Sequence, residues 1–341
     1  MPVLSSQYHP PLFYRNGHVQ SVLPTLFRKV EGVDYRRERI STPDGDFLDL
    51  DWSGSGSDRL MIISHGLEGH SDRNYVKGMA AHANRSGWDA CAWNFRGCSG
   101  EPNRRPFLYH SGATYDLHTV VEYIRSHYDY EHILLVGFSL GGNLTIKYFG
   151  EQGDSLDRHI TGGVAFSVPA DLVTSSYNLA RAKNKLYMNR FIRKLGDKIR
   201  AKEQLFPEII SSEGFSEIKN FEDFDNRYTA PLHGFRDALD YWQKASSKPY
   251  ISGIKRPLLL VNAKDDPFLT GECFPVEEAK NNPFFYLEMP NNGGHTGFIA
   301  NRISGIYWSE KRVIDFYHNQ IEKTARVRDS ANNLFEQELA R

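Results

Sequence analysis

Short apolar runs recur along the chain, each bounded by glycine or polar residues. RLMIISHG (59–66), WDACAWNFRG (88–97), HILLVGFS (132–139), GGVAFSVP (162–169), PLLLVNAKDD (257–266) and PFFYLEMP (283–290) are predicted strands. Several are apolar without alternation, the pattern of strands covered on both faces. Between them YVKGMAAHANRSG (75–87), ATYDLHTVVEYIRSHY (113–128) and GGNLTIKYFGEQG (141–153) carry helical spacing. Strands alternating with helices predict an α/β fold around a mostly parallel sheet. The segment 33–54 differs, with two polar-alternating stretches flanking PDGD. That pattern predicts an antiparallel hairpin at the sheet's edge.

The rhythm breaks between about Ala170 and Ser247. Residues 178–206 are helical and rich in lysine and arginine, and a second helical signal covers 228–246. The expected organisation is an α/β core of residues 1–169 and 236–341, with 170–235 inserted as a helical cap over the sheet's C-terminal edge. The basic helix reads as a solvated face, or as a moving lid or a surface for anionic lipid. The final stretch, RVRDSANNLFEQELAR, reads as a surface helix or frayed tail.

Composition adds bounds. The 341 residues are 40% hydrophobic and 13% aromatic, enough for a sizeable core, and the net charge is -1. Such a balance gives no general attraction to nucleic acid or anionic membrane. Cys91, Cys98 and Cys273 form no even framework and no CxxC pair, as expected of reduced thiols. The first residues hold three prolines and no apolar signal core, and no apolar run approaches the roughly 18 residues of a membrane span. A soluble cytoplasmic protein is expected, without a stable membrane span, its oligomeric state open.

The chemistry is concentrated in three loops. Gly137-Phe138-Ser139-Leu140-Gly141 is a GxSxG pattern that follows the apolar HILLV and opens a helical segment. In that context the serine sits on a strained strand-to-helix turn, its hydroxyl raised above the sheet. A serine nucleophile needs a base, and the base an orienting acid. His295 lies in the glycine-rich NNGGHTGF loop after one predicted strand, and Asp265 and Asp266 lie just after another. All would emerge at the edge that carries Ser139. Asp266, directly before Pro267-Phe268, is the favoured acid; Asp265 is the alternative, otherwise suited to cap the turn. The backbone N–H groups of Leu140 and of Leu67, after the His65-Gly66 turn, are the candidate oxyanion donors. No cofactor or metal is called for: His65, His70 and His110 match no ligand spacing, and nothing pairs Cys98 with a base. Arg96 and Glu101 are expected to form an ion pair that shapes the NFRGCSGEPN loop, the alternative being that they line the acyl or leaving-group pocket.

Several words together resemble the YheT-like branch of the α/β-hydrolase superfamily. They are NGHVQSVLPTLFR (16–28), PDGDFLDLDW (43–52), SHGLEGHSDRNYVKG (64–78), NFRGCSGEPNRRPFLYHSG (94–112), GFSLGGNLTIKY (137–148), YTAPLHGF (228–235), NAKDDPF (262–268) and NGGHTGF (292–298). The resemblance implies an α/β-hydrolase fold and a serine hydrolase of carboxylic esters, short- to medium-chain acyl or lipid esters such as acylglycerols. It carries the nucleophile to Ser139, the base to His295 and the acid to Asp266. The expected partner is a small-molecule or lipid ester, with peripheral lipid contact and no nucleic acid. Thioesterase, amidase and acyltransferase chemistry would use the same triad. A non-catalytic lipid- or partner-binding protein on the same fold is the reading from another class.

Overall fold

The computed structural model describes residues 2–323, so the tail from 326 lies outside the described residues. All six apolar runs contain strands: β4 (Arg59–Ser64), β5 (Asp89–Asn94), β6 (His132–Phe138), β7 (Ile160–Phe166), β8 (Leu258–Val261) and β9 (Phe285–Glu288). The polar-alternating segment supplies β2 (Arg36–Ser41) and β3 (Phe47–Ser53), and a two-residue β1 (Val3–Leu4) completes the sheet. Their order is β1-β9-β8-β7-β6-β4-β5-β3-β2. Every pairing is parallel except β2 with β3 and β3 with β5. The hairpin occupies the expected edge.

Parallel neighbours need crossovers, and helices supply them. Helix α1 (Gly17–Phe27) precedes the hairpin. Then α2 (Asn74–Arg85) links β4 to β5, α3 (Thr114–His127) links β5 to β6, and α4 (Leu140–Gln152) links β6 to β7. Strand alternation divides the core between the two faces. Leu60, Ile62 and Leu135 pack with Leu117 and Val120 of α3 and Leu144 and Phe149 of α4. Met61, Ile63 and Val136 point the other way, to Val76 and Met79 of α2 and to Val313 and Phe316.

Between β7 and β8 the chain builds a layer of helices: α5 (Leu172–Leu179), α6 (Lys185–Leu205) and shorter turns up to Gly253. It has its own apolar cluster, in which Met188, Ile192, Leu195 and Ile199 meet Leu108 and Phe268 of the core. The expected continuous helix over 178–206 is broken by a 3-10 turn at Ala182–Asn184. The second is broken at Gly234, where φ is 74°. Nor is α6 simply a solvated face. Lys198 reaches the Glu68 carboxylate at 3.0 Å, and Lys202 donates to the Asn103 and Arg105 carbonyls. Burial pushes the Lys202 amine down to about 8.

The expected Arg96–Glu101 pair does not form. Arg96 is 2% exposed and grips Asp116 with two parallel hydrogen bonds of 2.8 and 2.7 Å, while its other arm meets Asp44 and Asp46. The PDGD turn delivers those two carboxylates to the loop after β5. Glu101 pairs instead with Arg39 at 2.8 Å.

Candidate active site

Strand β6 ends at Phe138 and α4 begins at Leu140, so Ser139 alone makes the turn. Its φ of 54° and ψ of -119° lie outside the regions ordinary residues prefer. Such a conformation costs about 1–3 kcal/mol and persists because its surroundings fix it. Its N–H bonds to Phe166 O at 2.8 Å, and its carbonyl accepts from Asn143 N at 2.9 Å. The flanking glycines are required by contact. A Cβ at Gly137 would overlap the Gly141 carbonyl, and one at Gly141 the carbonyls of Ser64 and His65.

The loop after β9 brings His295 to the serine. Its Nε2 is 2.9 Å from Ser139 Oγ, and its Nδ1 is 2.9 Å from Asp266 Oδ2. With the proton on Nδ1 donated to the carboxylate, Nε2 is left to accept from the hydroxyl. The Asp266 side chain is fully buried, and its other oxygen accepts the Phe268 N–H at 2.9 Å. The neighbouring Asp265 turns away, accepting from Gly294 N at 2.9 Å and Asn292 Nδ2 at 3.2 Å. Burial raises its carboxyl above the usual range, and those two donors only partly offset that. Ser139, His295 and Asp266 are thus brought together, and Asp265 is given to holding the histidine loop.

That loop rests on α1, a support the sequence reading did not assign. Ser21 Oγ accepts the His295 N–H at 2.8 Å, and Gln20 Oε1 accepts Ile299 N at 2.9 Å. Gly294, at φ 55°, passes so close to Gly17 O that a side chain would collide.

Leu67 lies in the turn after β4, closed by Gly69 N to Gly66 O at 2.9 Å, with Glu68 at φ 53°. This is the type II geometry that glycine usually serves, so Glu68 must be held. Tyr109 does so, accepting its N–H at 2.8 Å and donating to its carboxylate at 2.7 Å, with Lys198 beside it. His65 braces the turn from below: Nδ1 meets Gly66 O at 2.8 Å and Nε2 accepts Phe95 N at 3.2 Å. Burial pulls its imidazole down to about 3, so it stays neutral and its two nitrogens are fully engaged. Leu140 is the first residue of α4, whose opening N–H groups have no intrahelical acceptor.

Two recesses meet at Ser139 and His295. One, about 1020 Å³ with its open mouth, runs under the helical layer past Leu172, Leu195, Ile199, Phe224 and Trp242. The other, about 810 Å³, opens between α1 and α6 beside Arg73, Arg190 and Lys194.

The family model described as the alpha/beta hydrolase fold matches residues 59–300. The chain belongs to that family. It is 31% identical to the Escherichia coli (strain K12) protein named "Putative esterase YheT", over 93% of this chain and 95% of that one. It is 28% identical to human "Phospholipase ABHD3", covering 87% of this chain and 75% of the relative. Identity to the "Monoacylglycerol lipase" of Saccharomyces cerevisiae is 29%, over 88% and 67% of the two chains. A solved Pyrococcus furiosus esterase, Pf2001, shares the fold with a TM-score of 0.56 and 19% identity, over 86% of this chain and 98% of that one. Among the described residues, no helix of this α/β hydrolase is long and apolar enough to cross a membrane.

Proposed function

We propose that this α/β hydrolase cleaves carboxylic esters through Ser139, His295 and Asp266, by way of an acyl-enzyme. The observation that carries the reading is the unbroken line of two 2.9 Å contacts from Asp266 through His295 to the serine hydroxyl. His295 takes the Ser139 proton as Oγ attacks the ester carbonyl. The Leu67 and Leu140 amides receive the oxyanion, and His295 returns the proton to the departing alcohol. Water, deprotonated by the same nitrogen, then releases the acid. Asp266 holds the imidazole's tautomer and balances its charge.

The apolar recess supports a short- to medium-chain acyl group as the buried part of the substrate, and the relatives' names, esterase, phospholipase and monoacylglycerol lipase, support lipid esters such as acylglycerols. Residues 170–235 act as the cap that roofs this recess, continued by the helix Ala238–Ala245. Exposed Leu12, Phe13, Leu26, Phe27 and Leu186 favour peripheral contact with lipid, which co-sedimentation with vesicles tests. Failure of the wild type to sediment would remove that contact. The three buried free cysteines fit a reducing, cytoplasmic setting, to be checked by fractionation.

Labelling with a fluorophosphonate probe tests the core of the reading. Stoichiometric labelling of the wild type, lost in Ser139→Ala and His295→Ala, is the expected result. A folded wild type that does not label overturns it. Turnover restricted to thioesters or amides in a substrate panel would replace the ester assignment while leaving the serine chemistry intact.

A further inference from the structure

The two recesses share Leu67, Ser139 and His295 but differ in charge. No lysine or arginine lines the apolar one, whereas Arg73, Arg190 and Lys194 line the other. None of these three cations has a carboxylate within ion-pair distance among the described residues. The nearby acids are committed elsewhere, Glu68 to Lys198 at 3.0 Å and Asp72 to Lys77 at 2.9 Å. Arg73 and Lys194 instead converge on one neutral acceptor, the Glu68 carbonyl, at 3.0 and 3.1 Å.

Three cations without an ion-pair partner among the described residues are gathered beside Ser139, and Arg73 repels the other two, with only the Glu68 carboxylate acting the other way on Lys194. Burial, then Arg73 and Arg190, pull the half-buried Lys194 amine down to about 8. Burial and the neighbouring Arg73 also lower Arg190. An anion bound among them would relieve that repulsion, and arginine forks fit phosphate and carboxylate oxygens in particular.

We propose that the recess between α1 and α6 is a binding site for an oxyanion, phosphate or carboxylate, carried on the alcohol side of the scissile ester. With the acyl chain under the cap and the carbonyl at Ser139, the alcohol portion is left to occupy this second recess. The inference rests on the ester hydrolase reading and refines the substrate class of the same site.

The test compares matched hexanoyl esters below their aggregation concentrations, so that no charged lipid surface contributes. One pair is 1-hexanoylglycerol and 1-hexanoylglycerol 3-phosphate; the other is phenyl hexanoate and 4-(hexanoyloxy)benzoate. The readout is the anionic-to-neutral ratio of kcat/KM. The wild type is expected to favour the anionic member. Arg190→Gln and Lys194→Gln should each lower the ratio about tenfold, as expected for loss of one charge-assisted hydrogen bond. Arg200→Gln, on the same helix but paired with Asp197, controls for total charge. Preference in the phosphate pair alone assigns the site to phosphate, and preference in both pairs to oxyanions generally. A wild type without preference in either pair, or a ratio unmoved in both variants, overturns the proposal. Arg190 is exposed, so its variant carries the test if Lys194→Gln does not fold. Fluorophosphonate labelling separates the two levels. A labelled enzyme with a flat ratio loses only the anion site, whereas an unlabelled one that cleaves no ester loses both.

Discussion

The hydroxyl of Ser21 accepts the backbone N–H of His295 at 2.8 Å, tying the first long helix to a loop 274 residues later. The same hydroxyl donates to Gly17 O at 2.6 Å, so its orientation is fixed from both sides. Ser21→Ala would leave the histidine loop without that anchor. A net hydrogen bond of about 1 kcal/mol corresponds to roughly a fivefold fall in kcat, with KM much less affected. Steady-state kinetics on a p-nitrophenyl ester measure it, and a larger change in KM than in kcat would contradict a positioning role.

The two adjacent aspartates should separate cleanly. Asp266→Asn disturbs the tautomer and charge balance of His295 and is expected to lower kcat by roughly 10³-fold or more. Asp265→Asn keeps one acceptor oxygen and loses the other, so only one of the bonds from Gly294 and Asn292 survives and its effect should fall mainly on the melting temperature. Equal losses of kcat in the two variants would count against the assignment.

Asp225 gives a pH signature. It is buried within the cap, accepting from Thr229 Oγ1 at 2.6 Å and Trp242 Nε1 at 2.7 Å, and burial raises its carboxyl to about 7. The folded protein therefore holds this proton more tightly than the unfolded chain, whose carboxyl has the ordinary value of 3.8. That contribution to stability is complete below about pH 4 and is lost as pH rises through about 7. Asp225→Asn keeps an acceptor for Trp242 without the charge. Its melting temperature should exceed the wild type's by roughly 2–5 °C at pH 8, the gap closing toward pH 5.

Arg96 is the core's most heavily loaded cation. Replacing it with leucine strands Asp116 and Asp46, both almost fully buried, without their partner. Losing one member of such a buried set costs about 3–5 kcal/mol. Urea unfolding should register that shift, while Glu101→Gln, at the partly exposed Arg39 pair, should change stability by less than about 1 kcal/mol.

What the sequence disclosed follows from range. The six strands, the edge hairpin and the three crossover helices were legible because periodicity and turn residues are local signals. Ser139 and His295 stood out because glycine spacing marks strained or closely packed loops. The pairing of Arg96 was misjudged because proximity along the chain favoured Glu101, whereas the hairpin folds Asp44 and Asp46 onto it from some fifty residues away. Strand β1 is two residues long, too short for any periodicity. The supports from Ser21 and Gln20 are invisible to pattern, since nothing in a serine or glutamine announces which distant loop it will hold. Lysine content made α6 look like a wet surface, yet direction along the helix turns Lys198 and Lys202 inward.

Those two ammonium groups fasten the roof to the core. To lift α6 from the core, Lys198 must abandon Glu68 and Lys202 its two carbonyls, leaving a nearly buried carboxylate with the Tyr109 hydroxyl but no counter-charge, at a cost of several kcal/mol. The seam between α1 and α6 is bridged more lightly, through the Tyr187 hydroxyl, which meets His18 at 3.0 Å and also bonds Ser21. The contact across the α1–α6 seam is therefore the cheaper one to break, and that side can part with the roof left in place.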